Sequence, residues 1–534
     1  MAGAGDLSAA STALDAVRRD TSEARALTGD PVWSLAAALP WFGPQLAAIS
    51  TTTATLDDVV STGLEPLAAA ASDLSATALR PKDGAFDVAR IASLRPLAAT
   101  ASARLRSAEA TLSLIDTGPL LGPLRDAVVQ ARDLVATASD AADAVDRASR
   151  LLPAMLGGDG ARSYLVLFQN NAEWRSLGGI VGAMAQIDVQ DGRITLADQA
   201  SSADFPAGLD EPVANLPEEV RDIYDTRPAR YIQNVTQLPD FSVGAPIARE
   251  MWKRVRGPNV DGVITLDPVA LGYILRATGP LTLPTGDELT ADNAVSVLLH
   301  DVYERYPDPA QQDEFFRVAS AAVFAALADG RADPKVLVDA LGHAGTEGRL
   351  RVWNADAQEQ AVLDGTPLQG GLPVADASRT TFGVYFNDGT GSKMDYYLRP
   401  DVDVSWCGAD SAVLSVGLAN DAPDPTTLPS YVTGGGQFGV PPGQVLTGVY
   451  VYLPTGAQLE DRSATTEGVP TAFAGGADQG RQVIKWSVRL APGEQARLLV
   501  RVSTPLTAAL GADVTPTVDD VTVGSESEGC RLER

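Results

Sequence analysis

The sequence predicts a multidomain chain: an all-α helical bundle or stalk over residues 1–150, an α/β domain over 151–395 and an all-β sandwich over 396–534. Three observations predict this division. The front of the chain is rich in alanine, with apolar residues returning at helical spacing. From Arg162 onward, apolar strand-like runs alternate with helical ones. From Tyr396 onward, helical periodicity gives way to alternating runs separated by Gly, Pro and Asp turns.

In the first region Leu14, Val17, Ala24 and Leu27 share one helical face. Similar stripes run from Gln45 to Leu74, Asp87 to Leu114 and Leu120 to Leu152. Gly29-Asp30-Pro31, Arg80-Pro81-Lys82-Asp83-Gly84 and Thr117-Gly118-Pro119 stand where helices should stop. Long antiparallel helices are expected. Alanine favours helicity and close approach but leaves little bulk around which to build a ligand cavity, so a spacer is the expected role.

In the second region Ser163–Phe168 is a continuous apolar run, expected to form a strand covered on both faces. A strand over Val181–Val189, a tight Asp191-Gly192 turn and a strand over Arg193–Leu196 form a hairpin. An amphipathic helix over Pro246–Val255 precedes a buried strand at Asp261–Leu266. Asp267 then caps a helix over Pro268–Ala277 that ends at Gly279-Pro280. Thr290 caps the next helix, with Asn293 three residues on, and Gln311–Leu327 forms another. Helices at Pro334–His343 and Ala355–Leu363 and strands at Arg349–Trp353 and Thr381–Phe386 are expected to complete the domain.

In the third region strands are expected at Tyr396–Trp406, Ala412–Asn420, Val445–Leu453, Gln482–Leu490, Arg497–Ser503 and Val518–Val523. The only cysteines are Cys407, at the end of the first of these, and Cys530, after the last. They are either two buried thiols or one disulfide stapling the ends of the module, which would require an oxidising, extracytoplasmic compartment.

Composition narrows the function. The 534 residues carry 41 Lys and Arg against 68 Asp and Glu, a net charge of -27. A nucleic-acid partner needs a dense basic face, so none is expected. With only His300 and His343, multi-histidine metal sites are excluded and any acid/base chemistry must rest on carboxylates, arginines or tyrosines. The uncharged run from Pro31 to Leu56 is interrupted by Pro40 and Pro44, and the N-terminus lacks a basic and apolar leader. Residues Leu7–Leu27 already read as the middle of a helix, so the chain is expected to begin downstream of a membrane anchor.

The richest candidate segment is Gln169-Asn170-Asn171-Ala172-Glu173-Trp174-Arg175-Ser176-Leu177-Gly178-Gly179, directly after the first buried strand, where α/β folds place ligand loops. Asn170, Asn171, Glu173, Gly178 and Gly179 are the candidate ligand-binding residues here. The glycines let backbone N–H groups approach an anion, and Arg175 offers a fork of donors to phosphate or carboxylate. The spacing matches neither a dinucleotide nor a Walker loop, and the same glycines would serve a bulge and close strand packing, with Glu173 pairing Arg175. Tyr303, Arg305, Tyr306, Asp308, Gln311, Gln312, Asp313 and Arg317 form a second group, Gln312 as a ligand contact, with a solvated polar face as the alternative. The glycine-rich Asn387–Asp395 segment, with one of five lysines, reads as a turn rather than a site. Paired carboxylates such as Asp198 with Asp204, or Asp261 with Asp267, would suit a glycosidase, but their spacing fits caps and turns as well.

These residues resemble a known family. The run from Tyr164 to Gly179, Val260-Asp261-Gly262-Val263 followed by Asp267-Pro268, Thr278-Gly279-Pro280, the Tyr306-Pro307-Asp308-Pro309 segment and Ser392-Lys393-Met394-Asp395-Tyr396 are similar to the actinobacterial domain-of-unknown-function family 4012. So are Asp30-Pro31-Val32-Trp33 and Leu39-Pro40-Trp41-Phe42-Gly43 in the front region. That resemblance implies an N-terminal transmembrane anchor, missing from this shortened form, and an extracytoplasmic body.

The order of elements and motifs in the central domain also resembles the LytR-CpsA-Psr family, which transfers polyprenyl-pyrophosphate-linked glycopolymers to peptidoglycan. The likeness implies that Arg175 and Arg317 are catalytic groups around a pyrophosphate and that Mg2+ is held by acids, with Asp204 as the metal residue. Two departures stand out: the family's Arg-Ser-Asp-Thr is Arg175-Ser176-Leu177-Gly178 here, and its Pro-Arg-Asp is replaced by Ala203-Asp204-Phe205-Pro206. The implied function is binding or transfer of a polyprenyl-phosphate-linked glycan or cell-wall polymer at the cell envelope. The alternative is a non-enzymatic surface scaffold on a degenerate transferase fold.

Overall fold

The structure, a computed structural model, describes residues 3–37, 39, 42–66, 68, 80–373, 379–408, 410–466, 469–470, 472–504 and 509–525. It divides into two compact units, Met1–Arg162 with Val189–Ile194, and Ser163–Asp188 with Thr195–Arg534.

The first unit is built of helices: α1 (Gly3–Thr28), α2 (Pro31–Ala36), α3 (Gly43–Asp58), α4 (Val88–Ser93), α5 (Arg95–Ser113) and α6 (Gly122–Met155), with α3 running on into a π-helical turn, Val59–Leu64. The expected Gln45–Leu74 stripe is seen as α3 and that turn; residues 67 and 69–79 lie outside the described residues, as do Pro40 and Trp41. α5 buries Ala98, Ala101, Ser102, Leu105, Ala108 and Leu112, and α6 buries Val128, Ala131, Val135, Ser139 and Ala142. These positions recur every three or four residues, so each helix has one apolar stripe. The small side chains let the two backbones come close, and Leu105, Leu112, Val135 and Val59 fill what space remains.

The second unit opens with a mixed sheet in the order β3-β2-β1-β4-β7. Its strands are β1 (Arg162–Arg175), β2 (Gly178–Gln190), β3 (Arg193–Ser201), β4 (Gly262–Leu266) and β7 (Leu350–Asn354), with a two-stranded β5 (Leu281–Thr282) and β6 (Glu288–Leu289) set apart. The β2–β3 turn is the expected one: Asp191 and Gly192 both have positive φ, 49° and 79°, as a type I′ hairpin requires. β1 and β4 are parallel, with Tyr164 opposite Gly262 and Phe168 opposite Leu266. Parallel neighbours need a long crossover. It contains α7 (Glu218–Tyr224) and α8 (Phe241–Arg256), the latter burying Phe241, Ala245, Ala248, Met251 and Trp252. α8 starts five residues before Pro246 because the Asp240 side chain accepts the Ser242 N–H and caps it there.

Aspartates cap the later helices in the same way. Asp267 caps α9 (Pro268–Thr278), Asp308 caps α10 (Pro309–Ala328), Asp333 caps α11 (Pro334–Thr346) and Asp356 caps α12 (Ala357–Leu363). Part of the acid surplus therefore sits at positive helix ends. Thr290 and Asn293 exchange reciprocal side-chain bonds ahead of the short helix Ala294–Ser296.

The remaining strands are β8 (Arg379–Asp388), β9 (Leu398–Trp406), β10 (Ser411–Asn420), β11 (Val445–Tyr452), β12 (Gln458–Thr466), β13 (Val469–Pro470), β14 (Phe473–Asp478), β15 (Arg481–Leu490), β16 (Gln495–Ser503), β17 (Ala509–Val514) and β18 (Val523–Gly524). They form two sheets, β13-β12-β16-β10-β9-β18 and β14-β15-β11-β8-β17. Their inner faces meet in one core, with Val384, Val449 and Trp486 from one sheet against Val402, Leu414 and Val500 from the other.

Two expectations are corrected. The Thr381–Phe386 strand does not complete the α/β domain: it lies within β8, paired antiparallel to β11 and parallel to β17, because Phe382, Val384 and Phe386 belong to the sandwich core. The α/β and β regions are also not separate bodies. Trp174, Leu275 and Phe315 share a single apolar core with Phe386, Trp486 and Val500, so both regions lie in one unit. Val518–Val523 contributes only Val523 to a strand. Cys407 is disulfide-bonded, and Cys530 lies outside the described residues.

Candidate functional site

The candidate segment occupies the end of β1 and the turn into β2, and many of its polar groups are engaged within the protein, while Gln169 Oε1, Asn171 Oδ1 and Trp174 Nε1 are buried without a hydrogen-bond partner among the described residues. Asn170 donates to the Tyr303 hydroxyl at 2.7 Å. Asn171 is fully buried and donates to Asp267 Oδ2 at 3.1 Å and to the Pro516 carbonyl at 3.2 Å. Glu173 forms an ion pair with Lys393 rather than with Arg175. The Trp174 N–H donates to Asp395 Oδ2 at 2.7 Å, and Ser176 and Asn387 exchange bonds of 3.1 and 2.9 Å. Arg175 donates through Nε to Asn234 Oδ1 at 3.0 Å and through Nη1 to the Trp174 carbonyl at 2.8 Å and the Asp388 carbonyl at 3.4 Å.

The two glycines serve packing. Gly178 adopts φ +127°, a conformation that side chains disfavour. A Cβ on Gly179 would lie 2.2 Å from the Asn170 carbonyl oxygen, so the turn closes only on a bare backbone. The segment thus joins β1 to the β8–β9 connection and to residues 515–517, both from the β region.

The Asn387–Asp395 segment, expected to be a mere turn, proves to be the electrostatic centre of this junction. Lys393 is buried, 4.7 Å from the Tyr303 ring centroid and 4.6 Å from that of Tyr431. Burial opposes its charge, but the Glu173 carboxylate and the two tyrosines outweigh burial and raise its pKa above the ordinary lysine value. Burial also pushes the Asp395 carboxyl well up, with neighbouring Asp388 adding to the effect, and burial raises Asp388 itself. Tyr303 is pushed up to about 12 by the same desolvation. The sequence offered one signal for this cluster: a lysine, rare in this chain, between two aspartates, Asp388 and Asp395, in a glycine-rich run.

Gln312 is buried and donates to the Tyr306 carbonyl at 2.7 Å, closing the loop ahead of α10. Arg317 and Asp204 do come together, in an open cleft of about 240 Å³ that Gln199, Ser201, Asp313 and Glu314 also line. Arg175 is not among the lining residues: β1 turns it toward Asn234 and the Asp388 carbonyl instead. Arg317 is exposed and donates through Nε to Glu314 at 2.7 Å, while Asp204 accepts the Ser201 N–H at 2.8 Å in the capping box of a single turn that Ser201 caps. Burial pushes the Asp313 carboxyl up. Three acids face one arginine here, a balance that repels a pyrophosphate. Among the described residues no group of three or more His, Cys, Asp or Glu side chains is placed to hold a metal ion; Asp204 shares its cleft with Asp313 and Glu314.

Residues 159–303 match the model of a family described as protein of unknown function (DUF4012). That segment is similar to the family; the match spans less than half of the chain. A solved structure, the transcriptional regulator yvhJ from Bacillus subtilis, is similar at 9% identity and a TM-score of 0.24, over 38% of this chain and 77% of that one. No curated protein matches the sequence. Among the described residues no helix is long and apolar enough to cross a membrane.

Proposed function

We propose that the protein is a non-enzymatic scaffold of the cell envelope, in which a transferase-like α/β fold has been converted into a structural junction. One observation carries this reading: the candidate residues Asn171, Glu173 and Arg175 are occupied in joining β1 to Asp267, Lys393 and Asn234. With its Nε and Nη1 donors given to a side-chain amide and two carbonyls, this guanidinium keeps only its Nη2 donors for a developing phosphate charge. The acidic lining of the Arg317 cleft weakens a glycan-pyrophosphate site further. The LytR-CpsA-Psr likeness enters as the ancestry of the fold, and fold does not imply activity. An extracytoplasmic location is supported by the disulfide at Cys407, a bond that persists in oxidising compartments.

The test is a transfer assay with a polyprenyl-pyrophosphate-linked glycan, cell-wall acceptor and Mg2+. No turnover is expected. Turnover that disappears in Arg317→Ala would overturn the scaffold reading and restore the transferase.

A further inference from the structure

At one end of the helical unit, large apolar side chains face solvent instead of the core. Leu35 in α2 is 74% exposed, and Leu39 and Phe42 before α3 are 54% and 63% exposed. Leu114 and Leu121, flanking the α5–α6 turn, are 85% and 68% exposed. The backbone holds these turns side by side. Gln45 donates to the Pro119 carbonyl at 2.8 Å and accepts the Leu121 N–H at 3.0 Å, and the Trp33 indole donates to the Leu46 carbonyl at 3.0 Å. The start of α3 and the α5–α6 turn therefore share one tip, whereas the last turn of α1 lies farther along α3, where Thr28 meets Thr53 at 2.9 Å.

Apolar patches so concentrated mark an interaction surface. Two properties select its occupant. The run from Pro31 to Leu56 holds no charged residue, in a chain of net charge -27. The carbonyls of the α5–α6 turn are also satisfied from within: Arg125 donates to Thr117, Gly118 and Leu120 at 3.2, 3.4 and 3.0 Å, and Gln45 takes Pro119. Solvent would satisfy these carbonyls unaided. Entry into hydrocarbon demands internal partners, because an unpaired backbone group there costs several kcal/mol. The few charges nearby, Asp30, Asp116 and Arg125, sit where headgroups and water can reach them.

We propose that this tip inserts into the headgroup and outer acyl region of a lipid bilayer, and that it prefers zwitterionic to anionic lipid because the acidic chain is repelled by negative surfaces. The occupant is a lipid surface, independent of whether the other unit is a scaffold.

The experiment is co-flotation of the whole chain with phosphatidylcholine vesicles, compared with the double variant Leu35→Glu, Leu121→Glu. Both positions are exposed, so the fold is expected to persist; circular dichroism checks it. The expected result is binding by the parent, at least about tenfold weaker in the double variant, unchanged by about 0.5 M salt and no stronger when phosphatidylglycerol is added. Absence of binding by the parent, equal binding by the variant, or binding to anionic vesicles alone that salt releases would overturn it. So would a parent dimer that the double variant dissolves without any vesicle binding, which would make a second copy the occupant.

Discussion

The Arg349 guanidinium donates to Asp267 Oδ2 at 2.9 Å, with 2% and 0% of the two side chains exposed. Asp267 at the same time caps α9 and accepts from Asn171, while Arg349 reaches the Thr517 carbonyl at 2.8 Å and Asp520 at 2.8 Å. One buried pair thus ties a helix, the β1 motif and the C-terminal segment together.

Removing Arg349 should be severe. Arg349→Met leaves the Asp267 carboxylate buried without its cation, and a loss of about 3–5 kcal/mol in chemical denaturation is expected. Replacing Asp267 with Asn in the same chain should recover part of that loss, because the uncompensated charge is then gone.

Gly179→Ala should destabilise by about 1–3 kcal/mol, since the new methyl group meets the Asn170 carbonyl rather than a yielding side chain. Urea unfolding midpoints of Gly179→Ala and Gly182→Ala make the comparison: no atom lies within 4 Å of a Cβ built on Gly182, so that variant should keep the parent midpoint.

Acid should stabilise the junction over a defined window. Burial raises Asp395 and Asp388, so between the unfolded carboxylate value and the folded one the native state holds more protons than the unfolded state. Their contribution is fully present below the unfolded pKa and is lost as pH rises through the folded one. In Asp395→Asn the amide oxygen can still accept from Trp174, but the proton is no longer at stake. Its melting temperature should fall less steeply with rising pH than that of the parent, and parallel profiles would show that Asp395 does not titrate in this range.

Much of the fold was legible because the signals were local. Asp191-Gly192 demanded a tight turn, Asp267 before a proline demanded a cap, and alternation marked β9, β10, β11, β15 and β16. β12 and β14 were not legible. β12 exposes Glu460, Asp461 and Arg462 in succession, so no alternation survives, and four of the six residues of β14 are glycine or alanine. The site was legible as a segment but not as a role: Asn171, Glu173 and Arg175 stood out, while their partners Asp267, Lys393 and Asn234 lie about 60–220 residues away and only the fold brings them near.

The disulfide at Cys407 should be measurable in solution. Unreduced, denatured protein should show no titratable thiol, and reductant should lower stability by about 2–4 kcal/mol. Free thiols in the unreduced chain would remove the support for an oxidising compartment.

The most direct measurement of the central claim pairs stability with ligand binding in Arg175→Ala. An architectural Arg175 predicts a loss of about 1–3 kcal/mol, from the unpaired Asn234 and buried carbonyls, with no polyprenyl-phosphate affinity in the parent to lose; Arg317→Ala should leave the unfolding midpoint where it is. A parent that binds polyprenyl phosphate, and an Arg175→Ala variant that keeps its stability but loses that affinity, would contradict the account.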